Sequence, residues 1–125
     1  MENNMKNKHI LLELTKLLKE DGFENIKTHL EGHSEPPKLV KAGSDKGFIP
    51  DMTASLENNT HIFEIELKNS FDIDKWKLFE RYTTNKGGKF IILTPAENKK
   101  EVVKAMQENA INANLILINP TNTNN

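Results

Sequence analysis

Four charged residues stand where they could act together: Asp51, directly after Pro50, and Glu64, Glu66 and Lys68 in the run HIFEIELK. In an extended strand successive side chains point to opposite faces, so Glu64, Glu66 and Lys68 share one face with Ile62, while Phe63, Ile65 and Leu67 share the other. A sheet covered on only one side would show this alternation simply by facing water. A sheet covered on both sides would instead place the three charges in or beside a cleft, where their desolvation has to be offset by pairing or by a metal ion. Asp51 belongs to the preceding strand of a hairpin, which brings its carboxylate toward that of Glu66, and two such oxygens plus water suit Mg2+.

The surrounding elements favour the second arrangement. Ile10, Leu11, Leu14, Leu17 and Leu18 recur at helical spacing, which predicts a helix from about His9 to Glu20 that Gly22 stops. Glu13 and Glu20 lie two turns apart along one margin of that stripe. The signal is poor over residues 23–42: FENIKTHL reads as a strand, EGHSEPPK and KAGSDKG as loops or a hairpin. Strands of about Pro50 to Leu56 and His61 to Lys68 flank the turn ENNT. SFDIDKWKLFERYTTNKGG reads as a helix capped by Ser70 or Asp72, with Ile73, Trp76, Phe79 and Tyr82 inward and Gly87-Gly88 as its stop. KFIILT is a strand.

Thr94-Pro95-Ala96-Glu97 has a hydroxyl cap, a proline at the first helical position and a glutamate three residues after the cap, so a helix is expected to begin there at once. It runs to about Asn109, and NLILI is the last strand. Late strands that alternate with helices imply parallel crossovers, and the earlier hairpin implies antiparallel pairing. The expected fold is therefore α/β, a mixed central sheet with helices on both faces. One domain is expected over residues 1–125, its ordered core spanning about residues 8–118 between polar, frayed ends.

Composition narrows the class. Of 125 residues 36% are apolar and 28% charged, the mixture of a soluble folded chain, and there is no cysteine for disulfides, thiolate metal sites or a thiol nucleophile. Glu13, Lys16 and Lys19 interrupt the N-terminal apolar stripe, unlike a signal peptide or membrane span, so a cytoplasmic protein with no membrane partner is expected. His29 and His33 are four apart, but Gly32 and the following SEPP argue against the helix a zinc pair would need. Lys75, Lys77, Arg81, Lys86 and Lys89 cluster with Trp76 and Tyr82. They read either as phosphate contacts with Trp76 stacking on a base, or as a solvated face with Trp76 in the core.

The combination of Pro50-Asp51, a spacer and Glu66-Leu67-Lys68 resembles the PD-(D/E)XK nuclease superfamily. The resemblance covers about His9 to Leu93 and implies a restriction-endonuclease-like core, a four-stranded mixed sheet in the order αβββαβ, here with a C-terminal αβ extension. It implies Asp51 and Glu66 as ligands of Mg2+, with Mn2+ as a substitute, and the Leu67 carbonyl as a further ligand. Lys68 would orient or deprotonate the attacking water and stabilise charge on the phosphate. Glu13 is the counterpart of an acidic residue that many members carry on the first helix, and Lys77 of a Gln or Lys on the later one. No Gln stands there, a departure from the common pattern. Glu64 is either a further metal or water contact or a salt-bridge partner of Lys68.

The implied activity is Mg2+-dependent endonucleolytic hydrolysis of phosphodiester bonds in DNA with water as nucleophile, which needs the charge neutralisation that a metal and an ammonium supply. The size and element order are also similar to archaeal Holliday-junction resolvases, which implies branched DNA, and a homodimer or a subunit of a larger complex. A net charge of −1 counts against a broad DNA-binding surface. The alternative is an inactive module of the same fold that binds nucleic acid or a protein partner.

Overall fold

The computed structural model describes residues 2–119, with side chains from Asn7 onward; the polar residues from Pro120 to the end, expected to fray, lie outside the described residues. The first helix, α1 (Glu2–Glu20), begins seven residues earlier than its apolar stripe predicts. Ile10, Leu11, Leu14 and Leu18 are its buried face, whereas Leu17, expected on that stripe, is 57% exposed. The helix closes where expected: Gly22 takes φ 91°, and the Phe23 N–H donates to the Leu18 carbonyl at 2.9 Å. That bond spans the last turn and uses a carbonyl the helix would otherwise leave orphaned.

After α1 come β1 (Glu24–Thr28) and a two-stranded hairpin, β2 (Leu39–Val40) with β3 (Gly47–Phe48). Next are β4 (Met52–Leu56) and β5 (Asn59–Ile65), joined by Glu57 and Asn58. Both turn residues have positive φ, 52° and 71°, the geometry whose twist matches that of the flanking strands. The rest follows as α2 (Ile73–Asn85), β6 (Phe90–Pro95), a 3-10 turn at Ala96–Asn98, α3 (Lys99–Glu108) and β7 (Asn114–Ile118).

The expected mixed α/β architecture is present. Five strands form one sheet in the order β1-β4-β5-β6-β7. β4 is antiparallel to β1 and β5, while β5, β6 and β7 run parallel, so α2 and α3 are the crossovers that parallel pairing requires. Phe63, Ile65, Met52 and Leu93 pack on α1 from one face, and Ile62, Ile92 and Phe90 pack with Trp76, Phe79 and Val102 on the other. Both faces are therefore covered, and burial of side chains such as Phe79 stabilises the second layer by about 1.5–3 kcal/mol each. Gly88 allows the return from α2 to β6 to press on β5, because a Cβ there would collide with the Thr60 carbonyl.

Two further boundaries differ from expectation. β5 ends at Ile65, three residues short of Lys68. Thr94 does not cap α3. Its hydroxyl donates instead to the Glu66 carbonyl at 2.7 Å, Pro95 completes β6, and the chain passes through the 3-10 turn before α3 begins. The capping signature is real in sequence, but a cap hydroxyl works by accepting from an N–H of the first helical turn, and β6 runs on through Pro95, so α3 starts too late for the Thr94 oxygen to cap it.

Candidate functional site

The predicted charged row is split by the structure. Glu64, on the face of β5 covered by α2, and Glu66, just beyond the end of the strand, are both buried, at 4% and 8% exposure. Asp51, just ahead of β4, is brought beside them by the hairpin. Its backbone N–H donates to Glu64 Oε1 at 3.1 Å, and its own Oδ2 accepts from the Ile65 N–H at 2.8 Å. The Thr28 hydroxyl donates to the Asp51 carbonyl at 3.0 Å, and His29 Nε2 lies 3.2 Å from the carbonyl of Pro50. Asp51 is thus tied on both its backbone and its side chain.

The cation at these carboxylates comes from α2. Lys75 Nζ is 2.8 Å from Glu64 Oε2 and 3.4 Å from Glu66 Oε2. The next residue, Trp76, is fully buried, and its Nε1–H donates to Glu66 Oε2 at 2.8 Å. The placement follows from the helix start: Asp72 caps α2 by accepting from the Lys75 N–H, which points the first turn of the helix at the end of β5. Trp76 therefore takes the core reading, with its polar handle spent on Glu66.

Lys68 is elsewhere. It is exposed in the bend after β5, while the carbonyls of Leu67 and Lys68 both accept from Asn98 Nδ2, at 3.0 and 3.3 Å. Glu13 is exposed on α1, across the sheet from Glu64 and Glu66, in a groove beside β7. The basic cluster divides. Lys75 turns inward, whereas Lys77 and Arg81 are exposed and, with Lys41 of the hairpin loop, border a cavity of ≈ 260 Å³. Lys86 sits over the Tyr82 ring at 5.6 Å, and Lys89 is exposed beside His61.

Three carboxylates around one ammonium leave excess negative charge in a poorly hydrated place. Burial pushes the Glu64 carboxyl up to about 8, with the neighbouring Asp51 charge acting in the same direction. Burial also raises Asp51 and Glu66, although hydrogen bonds and Lys75 oppose it. For Lys75 burial works against the charge, but Glu64 and Glu66 outweigh it and hold the ammonium above its ordinary value. A divalent cation is a chemically apt third party here. Asp51 and Glu66 are the carboxylates that could hold such an ion, each fixed through one oxygen, Asp51 Oδ2 by the Ile65 N–H and Glu66 Oε2 by the Trp76 indole. Among the described residues no group of three or more acidic, histidine or cysteine side chains is placed to hold a metal ion.

A cleft of ≈ 630 Å³ opens onto Asp51, with Lys8, His29 and Glu31 on its walls. Among the described residues no helix is long and apolar enough to cross a membrane. Sequence reasoning missed Lys75 as the site cation. The signal available was its position in the first turn after the Asp72 cap, next to an aromatic residue that must face the sheet. No protein family, no curated protein and no solved structure matches the chain.

Proposed function

We propose that the chain is a metal-dependent nuclease that hydrolyses phosphodiester bonds in DNA. The convergence of Asp51, Glu64, Glu66 and Lys75 at one end of β4 and β5 carries this reading. The order α1, β1, β4, β5, α2, β6, with three antiparallel strands followed by a parallel one, supports a core of the PD-(D/E)XK type. On that view the β2–β3 hairpin is an insertion, and α3 with β7 an extension.

Asp51 and Glu66 are the residues that would hold Mg2+ or Mn2+, and the ion would supply charge neutralisation at the scissile phosphate. The chain's own groups do the rest. The Ile65 N–H fixes the Asp51 carboxylate, and the Trp76 indole fixes that of Glu66. Lys75 takes the position expected of Lys68, an ammonium beside the carboxylates that can face the charge developing on phosphate oxygen. Glu64, buried and bonded to both Lys75 and the Asp51 N–H, holds those two groups in place beside the other carboxylates. Lys41, Lys77 and Arg81 offer contacts to flanking phosphates.

A second reading, a noncatalytic module that binds nucleic acid or protein, is favoured by one observation: Lys75 already pairs with both Glu64 and Glu66. Cleavage of linear, single-stranded and branched DNA with Mg2+ or Mn2+, in parallel with calorimetric Mn2+ binding, separates the two. The nuclease reading expects cleavage that is lost with Glu66→Ala. Absence of both cleavage and Mn2+ binding in the parent protein would overturn it.

A further inference from the structure

The two edges of the sheet are unlike. β1 presents Glu24 and Lys27, its register with β4 breaks between those two residues, and Asn25 there has φ 53°. Charge and a local irregularity are the devices that keep an edge strand from pairing with another chain. β7 has neither. It pairs with β6 in unbroken register from Asn114 to Ile118, and its sequence NLILI contains no charge and no proline.

β7 is also short of cover on both faces. Ile116 is 42% exposed and Leu117, on the opposite face, 44%. Beside Ile116 a groove of ≈ 600 Å³ runs between β7 and α1, bordered by Leu14 and by Leu17, the residue that departs from the buried helix stripe.

We propose that a second copy of this chain pairs antiparallel with β7 about a two-fold axis at Ile116, joining the two sheets into one. The outward N–H and C=O groups of β7 call for another strand, and its side chains call for an uncharged apolar one. The residues after Asn119, Pro-Thr-Asn-Thr-Asn-Asn, are polar and open with a proline that has no N–H to give. β7 itself meets both requirements. In antiparallel register about Ile116, Leu115 of each copy lies opposite Leu117 of the other, and neither strand carries a charge to oppose its copy. A two-fold axis perpendicular to the sheet keeps each face on its own side, so the two α1 grooves adjoin and cover Leu17 and Ile116 together. The contact is isologous and closes on itself, which yields a dimer and no longer polymer. The pairing is independent of whether the carboxylate cluster is catalytic.

The chain has no cysteine, so a single introduced thiol reports cleanly. Ile116→Cys is expected to oxidise to a covalent dimer, because directly opposed residues of an antiparallel pair lie within disulfide reach. Val40→Cys, comparably exposed on the hairpin, should form no covalent dimer under the same oxidation. In light scattering the parent should show twice the chain mass, and Ile116→Lys, which sets two ammonium groups face to face, should halve it while leaving the circular dichroism unchanged. Ending the chain at Asn119 should leave the dimer intact. A parent that is monomeric at its highest soluble concentration, or a dimer that survives Ile116→Lys, would overturn the proposal.

Discussion

Lys75 and Glu64 meet at 2.8 Å across the gap between α2 and β5, and this contact decides how the charged cluster survives inside the fold. Glu64 is buried, so its carboxylate must find a partner in the protein or keep a proton. The lysine side chain is 21% exposed, enough to give a solvent path to a pair that is otherwise enclosed.

Removing the ammonium leaves Glu64 and Glu66 without their counter-charge. Lys75→Met should destabilise the protein by about 3 kcal/mol, the low end for breaking a buried pair because the lysine retains some water. Lys75→Arg should recover part of the loss. Urea unfolding at neutral pH gives the comparison directly.

The pH dependence has a definite sign. Glu64 binds its proton more tightly in the folded chain, so its contribution is fully present below its ordinary value of 4.5 and is lost as pH rises through about 8. Asp51 and Glu66, also raised, act in the same sense. Stability should therefore fall as pH increases across that window, and Glu64→Gln should flatten the profile. A stability that rises between those pH values would contradict the assignment.

Two lysines can be told apart by activity. If cleavage depends on the ammonium beside the carboxylates, Lys75→Ala should lower the Mg2+-dependent rate by about 100-fold or more, the scale of losing one charge-stabilising group. Lys68→Ala, at an exposed bend, should change it only a few-fold. Single-turnover rates on the best substrate measure both, with circular dichroism as the folding control.

The Thr94 hydroxyl makes a prediction independent of catalysis. Thr94→Val keeps the shape, removes the donor and leaves the Glu66 carbonyl without that bond, a loss of about 1–3 kcal/mol. Thermal unfolding should register it, whereas Thr84→Val, on the exposed side of α2, should be nearly silent.

Much of this arrangement was legible in sequence. Apolar periodicity placed α1, α2 and the strands, because burial acts on every residue of those elements. Asp51, Glu64 and Glu66 were grouped correctly, since strand alternation and a short hairpin leave little freedom. What escaped were features settled by competition between partners. Lys68 reads as the site cation until β5 is seen to stop at Ile65, and Thr94 reads as a helix cap until β6 is seen to run on through Pro95. Lys75 reads in sequence as a phosphate contact or part of a solvated face, because composition does not tell which lysine of a basic helix turns inward.

Beyond Ile65 the chain leaves the β5 strand, and Glu66 through Lys68 hang from three fixings: the Leu93 carbonyl, the Thr94 hydroxyl and the Asn98 amide. All three belong to the corner between β6 and α3. That corner is the datum from which the Glu66 carboxylate is measured, much as a hinge plate sets where a door meets its frame. A substitution at Asn98, which touches none of the acidic side chains, would therefore shift their spacing, and changes of function are to be sought there as well as among the charged residues themselves.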